Sequence, residues 1–258
     1  MKTPALTISK ASIGYRHGRN AVPVVENVDA ALYGGELVAL VGRNGEGKST
    51  LLRTLSAFQP PLSGVVECSG KNITELSVAD VAKEIAMVFS TAEPAPLAVR
   101  EIVALGRTPY TNFIGRMTAK DHAVVDRAME MMGVTHLAGR ALGTLSDGER
   151  QKCMIAKALA QETPLILLDE PTAFLDFGSK VALFRMLAGL AKDAGKAVLV
   201  STHDVELALR FADRLWLLSG GVLSAGTTGE IAGSDIFRAF IGDDGIRYDK
   251  KEKRIDIL

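Results

Sequence analysis

Apolar residues follow a strand-like pattern at the start of the chain. Leu6, Ile8 and Ile13 fall in a segment of β character, a polar stretch follows at residues 16–20, and a second strand-like segment covers residues 22–32. Two such segments on either side of a polar stretch are typical of a hairpin. The pattern therefore predicts that the chain opens with two antiparallel strands.

The next part of the chain combines a short apolar run with a glycine-rich turn. Residues 36–41 are mostly apolar and stop at Gly42, and residues 48–57 have the apolar spacing of a helix. A short apolar run that ends at glycine favours a buried strand. The predicted order is strand, loop and helix.

Helical spacing dominates the middle of the chain, and an alternation of strands and helices follows it. The predicted helices of the middle part are residues 99–106, 121–132 and 149–160. The later elements are strands at 165–168, 197–201 and 215–218 and helices at 179–192, 205–211 and 234–241. This alternation favours a parallel sheet covered by helices. Two hairpin turns are also predicted, one at Gly220-Gly221 and one around residues 250–253.

The composition of the chain disfavours a nucleic-acid-binding protein and a membrane-spanning protein. The chain has 258 residues, with 30 Lys and Arg against 30 Asp and Glu, so its formal net charge is zero. That balance disfavours a general nucleic-acid binder. No apolar run reaches the roughly 18 residues that a membrane helix needs, and residues 1–10 do not have the pattern of a signal peptide. We expect a soluble, cytosolic protein whose two cysteines, Cys68 and Cys153, are packing residues.

A phosphate-binding motif lies in the predicted turn between strand and helix. A glycine, four residues and then Gly-Lys-Ser is the spacing of a P-loop. Its backbone N–H groups would surround phosphate oxygens, Lys48 would reach the β and γ phosphates, and Ser49 would ligate Mg²⁺. The candidate ATP-binding residues here are Gly42, Arg43, Asn44, Gly45, Glu46, Gly47, Lys48, Ser49 and Thr50. We expect the Glu46 side chain to point away from the nucleotide; a glycine-rich turn with a solvated lysine is the simpler alternative.

Two carboxylates follow the buried run at residues 165–168. Asp169 and Glu170 come at the carboxyl end of a predicted parallel strand, where α/β proteins bind ligands. This is the position of a Walker B motif. Asp169 would hold Mg²⁺ through water, and Glu170 would act as the general base toward the attacking water. The alternative is an acidic strand end that is merely solvated.

A third segment opens a predicted helix: Leu145-Ser146-Asp147-Gly148-Glu149-Arg150-Gln151. Taken alone, it predicts only a helix N-terminus with donors suited to an anion. Its position between the P-loop and the acidic strand end makes it resemble the LSGGQ signature of ATP-binding cassette (ABC) ATPases, from which Asp147 and Glu149 depart. The resemblance covers nearly the whole chain.

Further motifs extend the resemblance. Tyr15 resembles the aromatic residue that stacks on adenine, residues 173–176 ending in Asp176 resemble the D-loop, and His203 matches the switch histidine. Taken singly, Tyr15 and His203 have simpler interpretations as packed or hydrogen-bonded residues at strand ends. Together, these motifs in the family order are specific to ABC ATPases.

The resemblance implies a fold. We expect an α/β P-loop NTPase cassette with a mixed sheet core, an antiparallel β subdomain and an inserted helical subdomain. The chain, 1–258, would form a single ABC ATP-binding domain, with a catalytic core at about 1–90 and 161–258 and a helical subdomain at about 91–160.

The resemblance also implies a mechanism. Two copies would form a homodimer that binds two ATP molecules, with Mg²⁺, between the P-loop of one chain and the signature of the other. The residues that would act on the partner's ATP are Ser146, Asp147, Gly148 and Glu149. The candidate catalytic residues are Glu170, His203 and Lys48.

One position departs from the pattern of ABC importers. Those proteins carry a glutamine after the strand that leads into the helical subdomain, where it contacts Mg²⁺ and reports the nucleotide state to the permease. Here the strand at residues 85–89 is followed by Ser90 and Thr91. Ser90 is our candidate for this position, and its shorter side chain would need water or a closer loop to reach the metal.

A narrower resemblance concerns the transported compound. Residues 106–110, 115–116 and 118–121 resemble the helical subdomain of importers for iron chelates, haem and vitamin B12 (cobalamin). This implies a peripheral ATPase on the cytoplasmic face of the inner (plasma) membrane that works with a membrane permease dimer and, indirectly, a substrate-binding protein, without nucleic acid. We expect the permease contact at residues 91–101, with an ordinary subdomain loop as an equal alternative. The alternative functions are an exporter ATPase and a soluble ABC ATPase that acts on DNA or ribosomes.

Overall fold

The computed structural model describes residues 3–18, 20–90, 95–111, 115–173, 175–242, 246–249 and 254–257. The strands are β1 (Pro4–His17), β2 (Asn20–Tyr33), β3 (Leu37–Gly42), β4 (Ser63–Cys68), β5 (Lys71–Asn72), β6 (Ile85–Val88), β7 (Leu165–Leu168), β8 (Ala197–Thr202), β9 (Arg214–Ser219), β10 (Val222–Thr227), β11 (Ile246–Asp249) and β12 (Arg254–Ile257). The α-helices are α1 (Lys48–Leu55), α2 (Val78–Glu84), α3 (Val99–Ala104), α4 (Ala119–Met131), α5 (Asp147–Ala160), α6 (Phe177–Ala194), α7 (Val205–Phe211), α8 (Thr228–Ala232) and α9 (Asp235–Ile241). Short 3₁₀ helices cover Leu105–Tyr110, Thr135–Leu137 and Leu142–Thr144.

A six-stranded sheet forms the centre of the protein, in the order β10-β9-β3-β8-β7-β6. β9, β3, β8, β7 and β6 run parallel, and β10 pairs antiparallel with β9. The expected parallel strands and the hairpin at the glycine pair are therefore present in one mixed sheet. The carboxyl ends of β3, β7 and β8 meet at the same edge, which is where a ligand of such a sheet binds.

A second, antiparallel sheet has the order β2-β1-β4-β5. β1 and β2 pair from Pro4 opposite Tyr33 to His17 opposite Asn20, which confirms the predicted opening hairpin. β4 and β5, which the apolar pattern does not predict, extend this sheet.

Helix α1 lies between the two sheets. Leu51, Leu52 and Leu55 of α1 form one apolar cluster with Leu6 of β1 and Trp216 of β9, and all five side chains are fully buried. Burial of this apolar area stabilises the layer. The packing fixes the helix that directly follows the P-loop.

The opposite face of the central sheet is covered by helices. Val103 of α3, Val125 of α4 and Ile155 of α5 belong to one buried cluster with Phe184 of α6 and Val200 of β8. The mid-chain helices thus lie close to their predicted positions. In the described residues, no helix is both long and apolar enough to cross a membrane.

Local capping shifts some helix ends from their predicted bounds. α4 begins two residues earlier than expected, because Thr118 and Asp121 cap its N-terminus reciprocally. α6 also begins two residues early, because the carboxylate of Asp176 accepts the N–H of Ser179. The apolar periodicity does not record these first turns, since capping is polar chemistry.

The two cysteines lie in the protein interior. Cys68 and Cys153 are fully buried, and burial raises the pKa of each thiol to about 11. Such thiols are unreactive at neutral pH, as packing residues should be.

Near the end of the chain, β11 and β12 form the predicted antiparallel hairpin. Its turn, residues 250–253, lies outside the described residues.

Candidate functional site

The loop between β3 and α1 has the backbone of a phosphate-binding turn. Gly45 (φ +85°) and Gly47 (φ +104°) lie in the left-handed region, which favours glycine. A Cβ atom at position 47 would lie 2.5 Å from Cγ1 of Val24. Both conformation and space therefore require glycine where the loop enters α1, and this leaves the first N–H groups of the helix open to an anion.

A cavity of about 420 Å³ opens over this loop. Ten residues that line it are candidates from the sequence: Tyr15, Asn44, Gly45, Gly47, Lys48, Ser49, Thr50, Ser90, Asp169 and Glu170. Val24 also lines the cavity, and no sequence signal points to it beyond its apolar place in a predicted strand.

Three P-loop candidates do not line the cavity: Gly42, Arg43 and Glu46. The carboxylate of Glu46 bends back onto its own loop, where Oε2 accepts a hydrogen bond of 3.0 Å from the N–H of Arg43. Gly42 contributes its carbonyl oxygen to Lys48. These residues therefore brace the loop, and their contact with a nucleotide stays a prediction.

Lys48 places a buried positive charge at the base of the loop. Its side chain is 5% exposed, and Nζ donates to the carbonyl oxygens of Gly42 (2.8 Å) and Arg43 (3.3 Å). Nζ also lies 3.4 Å from Oε1 of Glu170. A buried ammonium requires such partners to offset the loss of water, so the three oxygens explain how the charge is kept beside the cavity.

Glu170 lies between the two other candidate catalytic side chains. Its Oε1 faces Lys48, and its Oε2 is 3.8 Å from Nδ1 of His203. The backbone of Glu170 has φ +44°, a value that is uncommon for a residue with a side chain and that occurs at functional sites. The structure thus brings together three predicted residues, one from the start of α1 and two from the segments that follow β7 and β8.

Asp169 is held by a residue that sequence reasoning missed. The hydroxyl of Ser201 donates to Oδ1 of Asp169 at 2.8 Å, and Oγ of Ser201 accepts the N–H of Glu170, also at 2.8 Å. The signal in the sequence is slight, because Ser201 is simply the first polar residue after the apolar run at 197–200, two positions before the matched His203.

The oxygen atoms at this edge fit a magnesium ion. Ser49 and Asp169 both line the cavity, and hydroxyl and carboxylate oxygens are the hard donors that Mg²⁺ takes. Oδ1 of Asp169 is engaged by Ser201, while no hydrogen bond from the described residues reaches Oδ2. No group of three or more His, Cys, Asp or Glu in the described part of the chain could hold a metal. The ion would therefore share its ligands with phosphate oxygens and water.

Tyr15 and Ser90 lie at the rim of the same cavity. The Tyr15 hydroxyl shares a hydrogen bond of 2.7 Å with Oγ1 of Thr50, and its ring is partly exposed. Ser90 is half-buried. Both residues therefore lie within reach of a nucleotide in the cavity, and their roles stay predictions.

The N-terminus of α5 is capped by its own signature residues. Oε2 of Glu149 accepts from the N–H (2.9 Å) and the hydroxyl (2.8 Å) of Ser146, and Ser146 Oγ accepts the N–H of Glu149 at 3.4 Å. These bonds, the hydroxyl first, hold the pKa of Glu149 below its ordinary value. Asp147 pairs with Arg150 at 3.1 Å. The two departures from the family signature thus serve the helix end itself.

The signature and D-loop candidates lie outside the cavity of their own chain. Ser146, Asp147, Gly148, Glu149 and Asp176 are not among its lining residues. Asp176 caps α6, and this bond lowers the pKa of its carboxyl group. Phe174 of the D-loop lies outside the described residues.

Sequence comparisons show which known proteins this chain is similar to. The profile of the ABC transporter family matches residues 25–173. The chain is 44% identical over 205 residues to the hemin import ATP-binding protein of Nocardia farcinica, a match that covers 78% of this chain and 69% of that protein. It is 36% identical over 234 residues to the iron(3+)-hydroxamate import ATP-binding protein of Bacillus subtilis, with 90% and 86% covered.

Solved structures extend the comparison to the fold. A candidate metal-chelate type ABC transporter in an inward-facing conformation superposes with a TM-score of 0.82 at 27% identity, covering 99% of this chain and 97% of that chain. A dimeric bacterial ABC transporter cassette gives a TM-score of 0.77 at 27% identity, covering 86% and 98%. These neighbours confirm the expected cassette fold. With a family match over more than half of its length, the chain belongs to the ABC transporter family.

Proposed function

We propose that this protein is the ATP-hydrolysing subunit of an ABC importer, which powers uptake of an iron complex, haem or cobalamin through a separate membrane permease. The observation that carries the proposal is the convergence of Lys48, Glu170 and His203 beside the P-loop cavity. The names of the relatives support import of haem and iron chelates. Cobalamin is included because the segments between residues 106 and 121 resemble the helical subdomain of importers that include those for cobalamin.

The geometry supports distinct roles for the three residues. Glu170 orients the water that attacks the γ-phosphate and takes its proton, since its carboxylate lies at the cavity edge between Lys48 and His203. Lys48 stabilises the charge of the β and γ phosphates from the base of the loop. His203 holds the second oxygen of Glu170 in place.

The remaining site residues bind rather than react. Tyr15 offers its ring to adenine, and the backbone of the loop residues that line the cavity, 44–45 and 47–50, surrounds the phosphates. Mg²⁺, when bound, would neutralise phosphate charge, and Ser49, Asp169 and Ser90 are the residues to hold it, directly or through water.

The signature supports a homodimer. Ser146, Gly148 and the N-terminal end of α5 have no place at their own chain's cavity, yet they form the end of a 14-residue helix suited to an anion. In the dimer they contact the ATP bound by Lys48 of the partner. The dimeric cassette among the structural neighbours supports this arrangement.

A second cavity supports a permease partner. A groove of about 700 Å³ is lined mainly by apolar side chains: Phe58, Ile73, Leu76, Val78, Val81, Ile85, Met87, Phe89 and Met154. Phe58 is 65% exposed and Val78 is 88% exposed. Exposed apolar side chains gathered in one groove favour a protein interaction site. We propose that an amphipathic cytoplasmic segment of the permease docks here.

The groove is linked to the nucleotide cavity by a short stretch of chain. Phe89 lines the groove and contacts the ring of Phe58 edge-on, with ring centroids 5.4 Å apart, while the next residue, Ser90, lines the nucleotide cavity. The segment where we expect the permease contact, residues 91–101, begins directly after Ser90. Of that segment, residues 91–94 lie outside the described residues, and its contact stays a prediction.

The helices support the proposed domain division. α3, α4 and α5 fall within residues 91–160, whereas the P-loop and the ends of β7 and β8 come from residues 1–90 and 161–258. We retain the division into one catalytic core and one inserted helical subdomain, and a peripheral location on the cytoplasmic face of the inner (plasma) membrane. An exporter ATPase and a soluble DNA- or ribosome-associated ATPase remain as alternatives.

The test is purification of the tagged protein from its native membranes in mild detergent, followed by mass spectrometry. We expect a polytopic permease at matching stoichiometry and ATP hydrolysis by the purified complex. The binding protein that accompanies the permease is then screened with haem, iron chelates and cobalamin. Recovery only from the soluble fraction, together with ribosomes or DNA, would contradict the importer and favour the soluble alternative.

A further inference from the structure

Ser201 is a polar residue at the end of an apolar strand. β7 and β8 pair in parallel register up to the positions just before Asp169 and Ser201, so these two residues face each other across the strands. Side chains alternate along a strand, and Leu199, two residues earlier, packs in the cluster against α1. Ser201 therefore continues that buried row to the edge of the nucleotide cavity, and it is itself fully buried.

The hydroxyl of Ser201 joins the two acidic residues that follow β7. It donates to Oδ1 of Asp169 and accepts from the N–H of Glu170, both at 2.8 Å. A serine hydroxyl can donate one hydrogen bond and accept others. A single oxygen thus holds the carboxylate of the candidate magnesium ligand and the backbone of the candidate general base.

The backbone of Glu170 depends on restraints of this kind. A φ of +44° is unfavourable for a residue with a Cβ atom and persists only where neighbouring groups hold it. Its N–H is bound by Ser201, and its carbonyl oxygen accepts the N–H of Ala173 at 3.2 Å. This turn directs the carboxylate toward Lys48 and His203.

We infer that Ser201 is a positioning residue for ATP hydrolysis. It holds Oδ1 of Asp169 so that Oδ2 is presented to the metal, and it holds the turn that aims Glu170. The inference rests on the proposed function but concerns a residue that no motif match assigns. Groups that hydrogen-bond a metal ligand in this way alter metal affinity or activity by about 10- to 100-fold.

The test compares Ser201→Ala with the wild type in two assays. Binding of a fluorescent ATP analogue is measured with Mg²⁺ and with EDTA, and steady-state hydrolysis is measured across Mg²⁺ concentrations. We expect the gain in affinity that Mg²⁺ provides to fall about 10-fold, and kcat to fall by about 10- to 100-fold. Binding in EDTA should stay at the wild-type level, because the P-loop contacts are intact. KM should change less than kcat.

Two further variants keep the test decisive. Ser201→Thr keeps a hydroxyl and should restore both Mg²⁺-dependent binding and turnover. Ser201→Cys fills the same space with a weaker hydrogen-bonding group, so it should give an intermediate loss even if the alanine variant does not fold. A threonine variant as impaired as the alanine variant would contradict a role for the hydroxyl.

Thr163 provides the matched control. It is a buried hydroxyl just before β7, at the opposite end of that strand from Asp169, where Oγ1 donates to the carbonyl oxygen of Leu165 at 2.8 Å. Thr163→Ala should lower thermal stability without changing the Mg²⁺ dependence. A Ser201→Ala enzyme with wild-type Mg²⁺ dependence and kcat would overturn this inference alone, whereas a wild-type protein that hydrolyses no ATP would overturn the proposed function.

Discussion

Two cavities in the described part of the protein differ in the polarity of the side chains that line them. The nucleotide cavity of about 420 Å³ is lined by glycines, hydroxyls and charged groups at the carboxyl edge of the parallel strands. The groove of about 700 Å³ is lined mainly by apolar side chains from β6, α2, α5 and the segment after α1. Polar walls suit phosphates and metal ions, whereas apolar walls suit a protein surface. The proposed site of ATP chemistry and the proposed docking surface are therefore separate surfaces, and they adjoin where Phe89 is followed by Ser90.

The largest effect is expected from Glu170→Gln in the polar cavity. The amide cannot take the proton of the attacking water, so kcat should fall by about 10²- to 10⁴-fold. ATP binding should remain, and a nucleotide-bound dimer should accumulate. Phosphate release and size-exclusion chromatography with ATP measure both results. The control is Glu206→Gln, at an exposed carboxylate on α7, and undiminished turnover in Glu170→Gln would remove Glu170 from its role.

Arg107→Ala should weaken the support of the groove rather than the nucleotide cavity. The Arg107 guanidinium is buried and donates to Asp121 (2.9 Å), to the carbonyl oxygen of Ala160 (2.8 Å) and to Glu162 (2.9 Å). Ala160 ends α5, the helix that forms one wall of the groove. Removing one partner of a buried pair should lower the free energy of unfolding by about 3–5 kcal/mol, measured by denaturant unfolding.

The control for that loss is a surface pair in the same subdomain. Arg100 pairs with Asp126 where both side chains are well exposed. Arg100→Ala should cost at most about 1 kcal/mol. Equal losses for the two variants would contradict a special role for the buried network, as would loss of ATP binding by folded Arg107→Ala.

Phe58→Glu should separate docking from chemistry. The substitution replaces the exposed ring with a charged, solvated carboxylate in the apolar groove. Loss of an aromatic contact at an interface weakens association by about 30-fold or more. The permease should no longer copurify, while ATP hydrolysis by the isolated protein stays unchanged. Ile236→Glu, which alters an exposed apolar residue on α9 outside the groove, is the control. Retention of the permease by Phe58→Glu would contradict docking at this groove.

Acid should weaken the groove wall through Asp121. The hydroxyl and N–H of Thr118, followed by Arg107, lower the pKa of the Asp121 carboxyl from 3.8 to about 2. A lowered pKa in the folded state means that this stabilisation is present above pH 4 and is lost as the pH falls from about 4 to 2. Unfolding followed between pH 5 and pH 2 measures it. In Arg107→Ala the acid-dependent part should be smaller, and an unchanged pH dependence would contradict the contribution of Arg107.

The smallest effect is expected from Ser90→Gln at the junction of the two surfaces. Ser90 lies half-buried at the rim of the nucleotide cavity, where a longer polar side chain has space. Hydrolysis by the isolated protein should stay within a factor of about two of the wild type. A well-folded but inactive variant would refute the placement of Ser90 at this position.

Motif residues could be predicted because each carries chemistry at a required spacing. Lys48, Asp169 and Glu170 follow apolar runs that form the strands predicted for them, and the structure brings them to one cavity. Val24 and Ser201 could not be predicted in the same way. Their importance lies in contacts with Gly47 and with Asp169, which depend on how separate segments pack.

The apolar groove and some helix ends were also beyond the sequence pattern. No motif marks Phe58 or Val78, since an exposed apolar residue has the same letter as a buried one. The early starts of α4 and α6 depend on the polar caps at Thr118 and Asp176, which apolar periodicity does not record.

By itself, the sequence determined the order of the main strands and helices and the chemistry of the P-loop and of the acidic strand end. Spacing was sufficient because these features act within a few residues. The tertiary structure alone decided that Ser201 bridges Asp169 and Glu170, that Glu170 lies between Lys48 and His203, and that an apolar groove begins beside the nucleotide cavity. The physical reason is that strand register and the packing of α1 between two sheets set distances between residues far apart in the chain, and local patterns carry no information about such distances.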